Sequence, residues 1–228
     1  MKIVVVGSLN CDLVSRVARA PGPGETVLAT SFHTFVGGKG CNQAIAAARA
    51  AASRGAVAMV GRVGRDGFAG ALLAKLDEAG VERSGVREDA HAATGVATIT
   101  VDDAGQNSIV VAPNANATFS PADVDDARAT FDGAAVVLLQ LEIPLETATR
   151  AAALGRAAGA RVILVPAPAP ERLPEELLAL VDVLVPNEIE ARALAGLPVT
   201  AAPDEAAERL RSRGVATVIV TLGGDGAL

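Results

Sequence analysis

Tryptophan and tyrosine are absent, and five phenylalanines among 228 residues leave an aromatic share of 2%. A core must therefore be built from Val, Leu, Ile and Ala. Stacking on aromatic platforms is disfavoured as a way of holding a base or a sugar, and single-stranded nucleic acid is a poor partner. Positive charge is also sparse. Lys and Arg total 20 against 26 Asp and Glu, a formal charge of −6, and no long cationic cluster supplies the footprint that a phosphate backbone needs. The two cysteines, Cys11 and Cys41, have few histidine partners and no metal-ligand spacing. Free thiols in a reducing cytosol are expected, and a zinc site is not. No apolar run reaches membrane-spanning length, and residues 1–6 pass straight into a strand pattern without the features of a signal peptide. The sequence reads as soluble and cytoplasmic, without a nucleic-acid or membrane partner.

A chain of this length accommodates one large α/β domain with a buried core. Short Val/Ile/Leu runs at 3–6, 56–60, 136–139, 162–165, 181–185 and 218–220 have the length and composition of strands buried on both faces of a parallel sheet. Ala-rich stretches at 42–53, 68–79, 121–131, 145–158, 188–195 and 203–213 are of helical length. The alternation predicts a doubly wound, three-layer αβα sandwich. Two regions break the rhythm. Residues 12–19 and 25–36 are extended in character around Pro21-Gly22-Pro23-Gly24, and 94–101 and 107–111 flank the turn Asp102-Asp103-Ala104-Gly105. They predict a small separate sheet, with strands within 12–36 and 93–112, laid over one edge of the main domain as a lid. Its outer face would be free to pair with a second subunit. The alternative is that these strands extend the central sheet.

Ligands of open α/β sheets bind beyond the carboxyl ends of the strands, where loops and helix N-termini converge. Gly7-Ser8-Leu9-Asn10-Cys11-Asp12, Gln140-Leu141-Glu142, Pro186-Asn187-Glu188-Ile189-Glu190 and Thr221-Leu222-Gly223-Gly224 each follow an apolar run. The first lacks the glycines of a dinucleotide fingerprint. Asn10 and Asp12 are two apart in extended backbone and so face one way. A carboxylate accepts from vicinal hydroxyls and an amide both donates and accepts, which is the chemistry a sugar diol requires. The plainer reading of Asp12 is a turn or cap. Gly37-Gly38-Lys39-Gly40-Cys41-Asn42-Gln43 offers a backbone that approaches a ligand or hinges, a cation, and a helix expected to open at Asn42. It is not a Walker A loop.

The order Asn10-x-Asp12, Gly37-Gly38-Lys39-Gly40-x-Asn42-Gln43, Gly61-x-x-Gly64-x-Asp66-x-Phe68 with Gly70, Thr94-Gly95, Asn114-Ala115-Asn116, Gln140-Leu141-Glu142, Pro186-Asn187-Glu188-x-Glu190 and Thr221-Leu222-Gly223 resembles the ribokinase-like carbohydrate kinases, or PfkB family. The resemblance spans the whole chain and is strongest to the ribokinase branch. It implies a Rossmann-like α/β sandwich with a β-sheet lid. It also implies transfer of the ATP γ-phosphoryl group to a small sugar, the 5-hydroxyl of D-ribose before fructose, a nucleoside or another sugar.

By the resemblance, Asn10, Asp12, Gly38, Lys39, Asn42 and Glu142 hold the sugar, and Thr94 and Gly95 belong to the lid strand nearest to it. Asn187, Thr221 and Gly223 lie by the nucleotide, and Glu190 meets Mg²⁺ through water. A homodimer through the lid and a monovalent cation, K⁺, are implied as well. The family's catalytic base sits in a Gly-Ala-Gly-Asp segment that follows the Thr-Leu-Gly-Gly motif and is expected beyond Leu228, so the 228 residues read as an incomplete domain containing no catalytic residue. On that reading an inactive sugar-binding module is the alternative to a kinase. Val165 stands where the ribokinases tend to have Asn.

Overall fold

The computed structural model describes residues 1–228. Strand β1 (Lys2–Val6) is followed by β2 (Asn10–Arg16), β3 (Ser31–Gly37), α1 (Lys39–Ala50), β4 (Val57–Gly64), α2 (Gly67–Ala79) and β5 (Glu82–Asp89). Next come β6 (Gly95–Val101), β7 (Asn107–Ala112), α3 (Ala115–Thr118), α4 (Pro121–Asp126), β8 (Ala134–Leu139), α5 (Leu145–Ala157) and β9 (Arg161–Leu164). The remaining elements are α6 (Glu175–Leu178), β10 (Val183–Leu184), α7 (Glu188–Ala195), α8 (Pro203–Arg211) and β11 (Thr217–Val218).

Seven strands form one sheet in the order β11-β10-β9-β8-β1-β4-β5, with every adjacent pair parallel. The other four form a second sheet, β3-β2-β6-β7, in which β2 and β6 are parallel and the flanking pairs antiparallel. The chain therefore adopts the expected sandwich with a separate lid, and the four strands do not extend the central sheet.

Period-two alternation divides the core into two layers. Val4 and Val6 of β1 join Val137, Leu139, Val162 and Leu164 under helices α5 to α8, whereas Val5 joins Met59, Leu72 and Leu76 under α1 and α2. The chain winds outward from β1 through β4 and β5, and in the other direction from β8 to β11. The direction reverses between β1 and β8, where neighbouring connections diverge and leave a crevice. Alanine compensates for missing rings by bringing helices close. Ala148, Ala151 and Ala152 of α5 are fully buried, and a Cβ on Gly155 would stand 2.7 Å from Val137 Cγ2. No helix is long and apolar enough to cross a membrane.

Local rules account for several boundaries. Asp66 caps α2 by accepting from the Ala69 N–H at 3.0 Å, and Gly80 ends it at φ 76°. Other elements depart from expectation. Strand β5 has no apolar run, because it is the sheet's edge, where Glu82, Arg83, Arg87 and Glu88 are tolerated and discourage further pairing. Residues 25–30 join no strand, and β3 begins at Ser31. The stretch 121–131 divides into α4 and a 3₁₀ turn, Arg128–Phe131, whose Phe131 is drawn into the core.

Leu76 is fully buried on the inner face of α2. Leu76→Ala is expected to lower the unfolding free energy by ~2–5 kcal/mol, read from urea denaturation. A loss below ~1 kcal/mol would contradict the packing of α2 on the sheet.

Candidate active site

The crevice between β1 and β8 is closed by the first turn of α1, and Glu142 connects all three. Its Oε2 accepts from Ser8 Oγ at 2.6 Å and from the Lys39 N–H at 2.9 Å, while Oε1 lies 3.7 Å from Lys39 Nζ. Ser8 Oγ accepts from the Gly40 N–H at 3.2 Å, and the Ser8 carbonyl accepts from the Cys41 N–H at 2.9 Å. Three free amides of the helix start are thereby satisfied, and a carboxylate stands at the positive end of the helix. The approach is too close for side chains. Cβ atoms on Gly38 and Gly40 would stand 2.7 Å from Asn10 N and 2.6 Å from Ser8 N. Gly38 also holds φ 87°, which makes it the residue from which the helix starts. Asn42 therefore does not open α1, contrary to expectation. The helix begins at Lys39, and Asn42 is exposed in its first turn.

Asn10 and Asp12 share a face of β2, as their spacing predicts. Both in-register neighbours of Asn10 are glycines, Gly37 on β3 and Gly95 on β6. A Cβ at Gly37 would stand 2.2 Å from Asp12 Oδ2, and one at Gly95 2.1 Å from Asn10 Oδ1. The two polar side chains lie across space that their neighbours leave vacant. Burial, and then the charge of Glu142, raise the Asp12 pKa above its ordinary value, while Lys39 opposes them. Asp12, Lys39 and Glu142 thus form one electrostatic cluster. The Cys41 thiol behind it is pushed up to about 12, by burial and then by Asp12. Glu142 opens on a cleft of about 410 Å³ whose walls include Val111, Leu141, Ile143 and Pro168.

The lid is fixed to the main sheet at its two hinges. Thr94, immediately before β6, is fully buried. Its N–H donates to Asp66 Oδ2 at 2.7 Å, its hydroxyl donates to Asp66 Oδ1 at 2.8 Å, and that hydroxyl accepts from the Gly64 N–H at 3.0 Å. Burial raises the Asp66 pKa, but donors from Thr94 and Ala69 outweigh it and the net shift is downward. Thr94 thus anchors the strand that Gly95 begins. Asn116 holds the other hinge through Leu9 and Asn10. Ser8 and Asn116 carry no role in the sequence reading. The signals available for them were the position of Ser8 just past the first apolar run and the repeated Asn of 114–116.

Two strand spacings further along the same edge, roughly 10 Å at ~4.8 Å per strand, β10 leads into α7. Asn187 Oδ1 accepts from the Glu190 N–H at 2.8 Å, and Glu190 Oε2 accepts from the Asn187 N–H at 2.9 Å. This reciprocal cap orients both residues. Asn187 forms a parallel bridge with Thr221, and Gly223 follows at φ 60°. The structure thus brings Asn187, Glu190, Thr221 and Gly223 together at one place, and Asn10, Asp12, Gly38, Lys39 and Glu142 at another. No group of three or more ligating side chains surrounds a metal position. One carboxylate oxygen of Glu190 is left outside the cap, which suits outer contact with an ion carried by phosphate and water and not a protein cage.

The model for the pfkB family carbohydrate kinases matches residues 1–228. The chain is 40% identical over 228 residues to the ribokinase of Staphylococcus aureus, covering 99% of this chain and 74% of that protein. It is 37% identical over 230 residues to the deoxyribokinase of Salmonella typhi, covering 100% of this chain and 74% of that protein. The structure of Arabidopsis thaliana ribokinase complexed with ribose and ATP superposes with a TM-score of 0.87 at 35% identity, over 99% of this chain and 73% of that chain. About three quarters of the length of these relatives is represented.

Because the folded-state pKa of Asp12 is raised, its ionisation opposes folding. The stability it contributes when protonated is lost as pH rises through that raised value. Asp12→Asn is therefore expected to melt higher than the parent protein at neutral pH, with the difference closing as pH falls toward the ordinary carboxylate range. Thermal unfolding across that window measures it, and a variant less stable at neutral pH would contradict the assigned cause.

Proposed function

The chain belongs to the pfkB family of carbohydrate kinases, and from that membership we propose that it binds D-ribose for transfer of the ATP γ-phosphoryl group to the sugar's 5-hydroxyl. The observation that carries the reading is the convergence of Asn10, Asp12, Lys39 and Glu142 where the winding of the sheet reverses. Asp12 and the outer oxygen of Glu142 accept hydrogen bonds from hydroxyls, while Lys39 and the Asn10 amide donate to hydroxyl oxygens. A neutral polyol satisfies such a set. An analogue lacking one hydroxyl leaves a partner stranded, at ~1–3 kcal/mol. Gly38 and Asn42 complete the sugar side in this reading.

Asn187, Thr221 and Gly223 are assigned to the nucleotide on the far bank, with Glu190 behind the ion. Mg²⁺, when bound, neutralises charge on the phosphates. The chain's own residues orient the sugar and nucleotide in line across the sheet edge, which is most of what phosphoryl transfer asks of a protein. The general base is assigned by the family pattern to the Gly-Ala-Gly-Asp segment, and the monovalent cation to no residue among these 228. The deoxyribokinase relative supports a second reading, with 2-deoxyribose as the acceptor.

Calorimetric titration is expected to show D-ribose binding, with 2-deoxyribose competing more weakly. Asp12→Ala and Lys39→Ala are each expected to weaken ribose roughly ten- to hundredfold while leaving nucleotide affinity nearly unchanged. Equal loss of both ligands would refute the division of labour, and stronger binding of 2-deoxyribose would favour the second reading.

The lid leaves Phe35, Ile109 and Val111 exposed on the face it shares with Asp12, and Phe32 and Val110 on the other. A four-stranded sheet with apolar residues bare on both faces needs a covering, and the proposed one is the lid of a second copy. Light scattering at micromolar concentration is expected to give a dimer, with Ile109→Lys shifting it toward monomer. A monomeric parent protein would contradict the proposal.

A further inference from the structure

Asn116, 1% exposed on α3, makes three hydrogen bonds to the turn between β1 and β2. Its Oδ1 accepts from the Leu9 N–H at 2.9 Å, and its Nδ2 donates to the Leu9 carbonyl at 3.1 Å and to Asn10 Oδ1 at 2.7 Å. The partners on Leu9 are backbone groups whose donor and acceptor roles cannot exchange. The orientation of the Asn116 amide is therefore determined, with its nitrogen toward Asn10. Asn10 must answer with its oxygen.

That leaves Asn10 Nδ2, on a residue only 3% exposed, without a partner in the chain. The one fully enclosed side-chain polar atom lacking a partner is Gln140 Oε1, so Asn10 Nδ2 reaches solvent on the face that also bears Asp12. We infer that Asn116 is a positioning residue that sets the polarity of Asn10, so that Asn10 meets the sugar only as a hydrogen-bond donor. This rests on the proposed sugar site and corrects the expectation that the amide both donates and accepts there. A hydroxyl held by Asn10 uses a lone pair, and its proton is directed to an acceptor such as Asp12. Gly95 permits the arrangement, since a Cβ there would stand 2.1 Å from Asn10 Oδ1 and 2.3 Å from Asn116 Nδ2.

Asn116→Asp tests this directly. The carboxylate still accepts from the Leu9 N–H but has no hydrogen for Asn10, so the Asn10 amide turns over to donate to it and presents its oxygen on the face that bears Asp12. Calorimetry with D-ribose and with ATP is read for the parent chain, Asn116→Asp, Asn10→Ala and the double variant. Asn116→Asp is expected to weaken ribose roughly tenfold or more and to leave ATP within roughly twofold. In the Asn10→Ala background it should add nothing further. Should Asn116→Asp unfold, Gly95→Ala, which separates the two amides, decides the matter with the same expected losses. Ribose binding unchanged in a folded variant, or an equal loss with and without Asn10, overturns the inference alone. A parent chain that binds no ribose overturns the proposed function and this inference together.

Discussion

One carboxylate oxygen, Glu142 Oε2, receives both the Ser8 hydroxyl and the Lys39 N–H. It thereby fastens the loop after β1, the loop after β8 and the start of α1 into one rigid corner. The charge is held at the positive end of a helix and by two short donors, so it is compensated without losing its second oxygen. That oxygen, 3.7 Å from Lys39 Nζ, remains available at the cleft. The corner lies where the winding of the parallel sheet reverses, so the same contact holds together the loops that border the site.

Absence of side chains matters as much as their presence. Gly38 and Gly40 let α1 rest on the backbone of residues 8–10, and Gly37 and Gly95 let Asp12 and Asn10 lie flat across neighbouring strands. A Cβ at any of these positions would meet backbone, or the functional groups themselves, at less than van der Waals distance. The lid can therefore be a pleated sheet and still present two polar side chains at its root. Its junctions with the main domain are anchored by long-range hydrogen bonds, Thr94 to Asp66 and Asn116 to Leu9.

The charge pattern fits a ligand without charge of its own. Burial and then repulsion by Glu142 disfavour the charged form of Asp12, and Lys39 opposes them, so in the proposed function Asp12 meets a sugar hydroxyl at some cost to the folded state. Strain of this kind belongs to a binding site more than to a scaffold. On the other bank, Asn187 and Glu190 cap each other, which gives that carboxylate a structural task at the start of α7, and Asn187 is bridged to Thr221.

Much was legible in the residues alone. Four- and five-residue apolar runs announce parallel strands because both faces of such a strand are buried, and Asp66, Gly80, Asn187 and Gly196 mark helix ends through bonds spanning only a few residues. The spacing of Asn10 and Asp12 placed both on one face, since side chains alternate along any strand. The charged strand β5 was hidden because an edge position does not demand an apolar run. The start of α1 was misplaced because Gly38, not Asn42, satisfies its geometry. Tertiary structure alone decided that Ser8 meets Glu142 across 134 residues of chain, and that Asn116 dictates which end of the Asn10 amide is free across 106. Local pattern records what a residue needs from its immediate neighbours. Which distant group consumes a donor or an acceptor depends on where the folded chain returns.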